Sequence, residues 1–189
     1  MKRIAVYCGS NKGTRPEYAA AAQELGALLA RERIELVYGG GSVGLMGIVA
    51  NAALKHGGHV IGVIPQKLHI REIIHHGLPD LRIVKDMHER KAMMAELADG
   101  FIALPGGYGT FEEFFEVLAW SQLGWHPKPF GLLDIAGFYA PLLKFLDHTR
   151  DEGFIRPQHR ELVLVSDSAE KLLPQLRAFR PPSEVKWIK

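Results

Sequence analysis

The sequence is poor in cysteine. Cys8 stands alone, so no internal disulfide can form, and such usage suits a reducing, cytoplasmic setting. No apolar run reaches 18 residues, which excludes a membrane-spanning helix. The start, MKRIAVYCGS, is basic, but its apolar run ends at Gly9 and Ser10. That is too short for a signal peptide and reads as a first strand. Charge of one sign is also scarce: 23 Lys and Arg against 21 Asp and Glu leave +2. That balance gives no argument for nucleic acid, and it is compatible with a small anionic ligand. Nine histidines occur, yet no H-E-x-x-H and no paired Cys/His spacing, so no metal site is expected. His75-His76 and His56/His59 flank glycines and read as solvated turn residues. No linker, repeat or low-complexity tract divides the 189 residues, which are expected to form one domain over 1–189.

What is present is a regular alternation. Apolar runs at 3–7, 35–39, 59–64, 81–84, 100–104, 130–134 and 162–165 are continuous, as for strands buried on both faces. Helical stretches near 15–32, 44–56, 88–99, 111–123, 138–151 and 168–178 separate them. The pattern predicts an α/β, Rossmann-like, doubly wound parallel sheet of about seven strands with helices on both faces. Thr14-Arg15-Pro16-Glu17 and Asp86-Met87-His88-Glu89 read as capping boxes. Pro174 suggests a kink or an early end to the last helix.

In such a sheet ligands sit beyond the carboxyl ends of the strands. Three loops meet that edge: Cys8-Gly9-Ser10-Asn11, GGGSVGLMG (39–47) and LPGGYGTFEE (104–113). Glycine lets backbone approach a ligand, and a helix N-terminus just beyond offers N–H groups and a positive dipole end. Two glycine loops, with hydroxyls from Ser42 and Thr110, favour a phosphate site over plain tight turns. Gly39, Gly41 and Gly44 match G-x-G-x-x-G, but no Asp or Glu lies between Gly44 and Glu72 to hold a dinucleotide ribose. A G-x-x-x-x-G-K-[ST] loop is absent as well. The expected ligand is therefore a mononucleotide or sugar phosphate.

Two charged groups break the pattern. Arg90 falls on an apolar stripe through Met87, Met94, Leu97 and Ala98, so it either snorkels at the edge or points to an anion. Glu112 and Glu113 follow the third loop. Thr110-x-x-Glu113 has the form of a capping box, yet carboxylates beside a phosphate weaken its binding unless a cation forms nearby. Cleavage of an N-glycosidic bond passes through an oxocarbenium-like state that a carboxylate stabilises.

GGGSVGLMG, DMHERK (86–91) and PGGYGTFEE, in this order and spacing, resemble the LONELY GUY (LOG) family from strand one to about Asp167. These are cytokinin riboside 5′-monophosphate phosphoribohydrolases with a Rossmann-like fold. The resemblance implies hydrolysis of N6-modified AMP, or AMP itself, to free base and ribose 5-phosphate, with no cofactor. By motif position Arg90 and Glu113 would be the catalytic pair. Lys91, Gly106, Gly107, Tyr108, Gly109, Thr110 and Glu112 would line the nucleotide site, joined by Ser10, Gly41, Ser42 and Gly44 from the other two loops. Glu72, in HIREI, matches a substrate-contacting glutamate that relatives carry in PREI; Ile70 replaces the proline. Ala119 stands where many plant relatives have threonine. A homodimer is also implied, with Trp120, Leu123 and Trp125 at its interface rather than in the core. Relatives have been labelled lysine decarboxylases, but pyridoxal phosphate needs a Schiff-base lysine, and Lys91, the one lysine inside these motifs, is not on a glycine loop. A nucleotide-binding sensor of the same fold is the competing reading; a purely structural role leaves the paired loops unexplained.

Overall fold

The computed structural model describes residues 1–69 and 74–182. The chain runs β1 (Arg3–Tyr7), α1 (Pro16–Arg31), β2 (Glu35–Tyr38), α2 (Gly44–Lys55), β3 (Val60–Pro65) and α3 (Gln66–His69). It continues through β4 (Asp80–Val84), α4 (Met87–Leu97), β5 (Gly100–Ala103), α5 (Tyr108–Gln122) and β6 (Phe130–Leu133). A 3₁₀ turn (Ile135–Gly137), α6 (Ala140–Asp151), α7 (Pro157–Arg160), β7 (Val163–Ser166) and α8 (Ala169–Ala178) complete it.

The strands form one seven-stranded sheet in the order β4-β3-β2-β1-β5-β6-β7, and every ladder in it is parallel. Alternate side chains feed two cores. Ile4, Val6 and Cys8 pack with α1, α2 and α8, while Ala5 and Tyr7 pack with α4, α5 and α6. Burial on both faces explains why the strands read as unbroken apolar runs. The chain leaves β1 toward β2 on one side and later returns to β5 on the other. The carboxyl ends of β1 and β5 therefore flank the switch point, where such sheets open a crevice.

Several local expectations need correction. Thr14 does not cap α1: the N-cap is Arg15, no side chain bonds there, and Pro16 supplies the first helical position. The helix α8 runs on through Pro174. The short helices α3 and α7 span four residues each, too short to show a period. His75 is buried rather than solvated, with Nε2 2.9 Å from Asn51 Oδ1. His56, His59 and His76 are exposed.

Candidate active site

The three loops are stitched together at the switch point. The Gly9 N–H donates to the Pro105 carbonyl at 3.0 Å, and the Gly9 carbonyl accepts from Leu45 N–H at 3.0 Å. Two glycines permit this closeness. A Cβ on Gly44, whose φ is +60°, would come within 2.2 Å of the Ser10 carbonyl carbon, and one on Gly106 within 2.1 Å of Thr110 Oγ1. Gly107 and Gly109 differ, since a Cβ on either would meet none of the described residues within 4 Å. Their backbone faces open space, beside a cavity of about 250 Å³ lined by Ser10, Gly39, Arg90, Tyr108, Thr110 and Glu113 among others.

Arg90 reaches this cavity from α4. Asp86 caps that helix, its carboxylate accepting from His88 and Glu89 N–H at 3.0 Å each, while Glu89 accepts from Lys85 N–H at 2.7 Å. The buried face of α4 is Lys91, Met94 and Ala95, with Ala98 at its end. Met87, expected on that face, is 41% exposed. Arg90 does not snorkel to solvent. Its side chain is 11% exposed, and Nη2 lies 3.4 Å from Glu113 Oε1. Gly39 makes room for it, since a Cβ there would stand 1.9 Å from Nη2. Arg90 Nε is buried and has no hydrogen-bond partner among the described residues, which leaves a donor for a bound acceptor.

Glu113 is not a capping residue. The helix α5 begins at Tyr108 behind the N-cap Gly107, with no side chain capping it, so Thr110 and Glu113 lie inside the helix. The carboxyl group is buried, and burial pushes its pKa from 4.5 to about 7. Arg90 and Lys91 oppose that rise, while Glu112 and Glu116 add to it. A carboxyl group poised there can serve as base or acid near neutral pH.

The structure brings Ser10, Arg90, Gly107, Tyr108, Gly109, Thr110 and Glu113 to one cavity. Gly106 lines an adjoining, more apolar cavity of about 190 Å³ that shares Gly9, Ser10 and Gly107 with the first. Gly41, Ser42, Gly44, Lys91 and Glu112 are not in either lining. Gly41 is instead buried in an antiparallel bridge to Ile74. Glu72 and Ile70 lie outside the described residues. Sequence reasoning missed Gly39 as a site residue, although it sat in the glycine count, and missed Glu116, whose spacing of four from Glu112 was a readable signal.

Residues 46–176 match the family model described as possible lysine decarboxylase. An Arabidopsis thaliana cytokinin riboside 5′-monophosphate phosphoribohydrolase is 53% identical over 181 residues, covering 96% of this chain and 83% of the relative. The chain belongs to the LOG family. A rice LOG protein of the same description is 52% identical over 98% of the chain and 76% of its own length. A molybdenum cofactor carrier protein from Chlamydomonas reinhardtii superposes with a TM-score of 0.71 at 26% identity, over 94% of the chain and 98% of the carrier. The decarboxylase description fits this LOG family member poorly. Pyridoxal phosphate needs a lysine that can lose its proton and reach the cofactor. Lys91 is buried between Glu112 and Glu116; burial would lower its pKa, but the bonds from both carboxylates outweigh that and hold it above the ordinary lysine value. Among the described residues, no lysine lines the cavity holding Arg90 and Glu113.

Proposed function

We propose that the chain hydrolyses the N-glycosidic bond of AMP or N6-modified AMP, releasing free base and ribose 5-phosphate. The observation that carries this is the buried Arg90–Glu113 pair at the switch point, beside Gly107 and Gly109, where a Cβ would meet none of the described residues within 4 Å. The names of its relatives supply the substrate class. The backbone N–H groups at the uncapped start of α5 receive the 5′-phosphate. The Arg90 guanidinium, whose Nε has no partner among the described residues, holds an oxygen of the sugar phosphate. As the bond from C1′ to the base nitrogen lengthens, positive charge grows on the ribose ring. The Glu113 carboxylate stabilises that charge and takes a proton from the attacking water, whose oxygen bonds to C1′. The departing base nitrogen keeps the electron pair of the broken bond and accepts the proton that Glu113 took from water, so atoms and charge balance and the carboxylate is regenerated.

Ser10, Gly107, Tyr108, Gly109 and Thr110 would contact the nucleotide directly, Gly106 from the adjoining cavity, with Gly41, Ser42, Gly44, Lys91 and Glu112 acting from behind the lining. Among the described residues no helix is long and apolar enough to cross a membrane, and the lone buried cysteine fits a cytoplasmic enzyme. We place a homodimer interface at α5 and its end, where Phe115 is 40% and Trp125 71% exposed.

The test is a panel of nucleosides and their 5′-monophosphates with released base quantified. Each charge-assisted hydrogen bond to phosphate contributes about 1.5–3 kcal/mol, so adenosine should be cleaved several orders of magnitude less efficiently than AMP. Comparable release from both sinks the reading. The likeness to a cofactor carrier favours a second possibility, a nucleotide-binding module without turnover. AMP binding with no base released would identify it.

A further inference from the structure

Three carboxylates crowd the second and third turns of α5: Glu112, Glu113 and Glu116. Only Glu113 lines the cavity. Lys91 crosses from α4 with its side chain 8% exposed, contacting the Glu112 carboxylate and donating to Glu116 Oε1 at 3.0 Å. Burying an ammonium is costly unless it is paired, and here it has two partners. Resting on the phosphoribohydrolase reading of this site, we propose that Lys91 is a positioning residue: it clamps Glu112 and Glu116 away from the nucleotide, leaving Arg90 and Glu113 to face it as a separate ion pair.

The charges around Glu113 leave few alternatives. From α4 it faces Arg90 and Lys91, and from α5 Glu112 and Glu116. From β1 it faces Tyr7 and Cys8, which burial holds protonated and neutral. Against two cations stand three carboxylates. The Glu112 side chain is 55% exposed, so water screens much of its remaining charge; the Glu116 side chain, at 25%, is screened less. Without the Lys91 ammonium, Glu112 and Glu116 would repel an ionised Glu113 and compete for Arg90. Adjacent Arg90 and Lys91 thus divide the work: one cation serves the cavity, and its neighbour quiets the acids behind it. A direct phosphate contact by Lys91 fits less well, because both of its resolved bonds go to carboxylates outside the cavity lining.

Two variants test this with opposite expected signs. Lys91→Met keeps the apolar stem and removes the charge. Glu112→Gln/Glu116→Gln keeps Lys91 and removes the acids it holds. The Glu113 midpoint is read in two ways: from the acidic limb of kcat/KM for AMP, and from NMR titration of its carboxyl carbon in nucleotide-free protein. Lys91→Met should raise the midpoint by about one pH unit, the size expected for a unit charge on the order of 10 Å away at an effective dielectric of about 20. The double Gln variant should lower it by a similar amount, and Lys91→Arg should restore the wild-type midpoint. If both variants titrate like the wild type, or Lys91→Met loses turnover at every pH with the midpoint fixed, the proposal is overturned and Lys91 is a contact residue. Should Lys91→Met fail to fold, the double Gln variant decides by its own sign. Should the wild type release no base from AMP, the hydrolase reading fails while the NMR midpoints still judge Lys91.

Discussion

Replacing Glu113 with glutamine separates what this side chain does for the reaction from what it costs the fold. In the folded protein its pKa is raised from 4.5 to about 7. The folded state therefore binds a proton more tightly than the unfolded chain. The favourable contribution is fully present below pH 4.5 and is lost as pH rises through 7. The difference of about 2.5 units corresponds to about 3 kcal/mol by pH 8. Glutamine resembles the protonated acid in shape and stays neutral, so Glu113→Gln escapes the loss. Its melting temperature should match the wild type near pH 4.5 and exceed it by roughly 6–12 °C at pH 8, from about 2–4 °C per kcal/mol for a domain of this size. Turnover should fall by at least two orders of magnitude at every pH, with AMP affinity little changed, because the carboxylate acts on charge present only in the transition state. Thermal melts from pH 4.5 to 8.5, paired with base-release assays, read both effects. A melting difference that stays flat with pH would falsify the buried-carboxylate argument, and retained turnover would remove Glu113 from catalysis.

Two further substitutions probe the partner. Gly39→Ala puts a Cβ 1.9 Å from Arg90 Nη2, the flexible end of a side chain, at a glycine without positive φ. The fold should survive with its melting point within a few degrees, while displacement of the guanidinium lowers kcat/KM more than about tenfold; wild-type kinetics would show that Arg90 has freedom to spare. Arg90→Lys keeps the charge but loses the planar fork and Nε, so base release should drop by roughly two orders of magnitude in a folded protein. A variant that keeps most of its rate would remove Arg90 from the reaction.

The sheet was legible because parallel strands bury both faces and leave apolar runs that need no periodicity argument. What failed was local. The residues Thr110 and Glu113 have capping-box spacing, but two glycines, Gly107 and Gly109, disguised a helix that had already begun at Tyr108. Composition at 106–109 reads as loop, yet the helix starts at Tyr108 behind the N-cap Gly107, and the residues just before it are tied to the end of β1 through Leu104 N–H to the Tyr7 carbonyl and Gly9 N–H to the Pro105 carbonyl. Arg90 was visible as an oddity on α4, yet its environment was not. The space it occupies is the missing Cβ of Gly39 at the end of β2, an element that periodicity on α4 cannot report. The partners of Lys91 were hidden for the same reason. Motif position assigned it to the nucleotide site, and the carboxylates that hold it lie 21 and 25 residues later.

Two local costs meet in a single ion pair. Glu113 ionises only near pH 7 and against the penalty of burial, and Arg90 keeps Nε buried without an acceptor among the described residues. Either alone could be a tolerated imperfection of packing. Together they specify a ligand by opposite demands, since the guanidinium needs an anionic or oxygen acceptor and the carboxylate needs positive charge within reach. A resting phosphate satisfies the first and aggravates the second. A ribose 5-phosphate whose C1′ is losing its base satisfies both, because the negative group is fixed while positive charge develops elsewhere on the same molecule. The pair is therefore better matched to the transition state than to either the substrate or the product. On this argument a non-hydrolysable analogue with a positive charge in its ribose-like ring should bind more tightly than AMP, and a free phosphate should bind weakly.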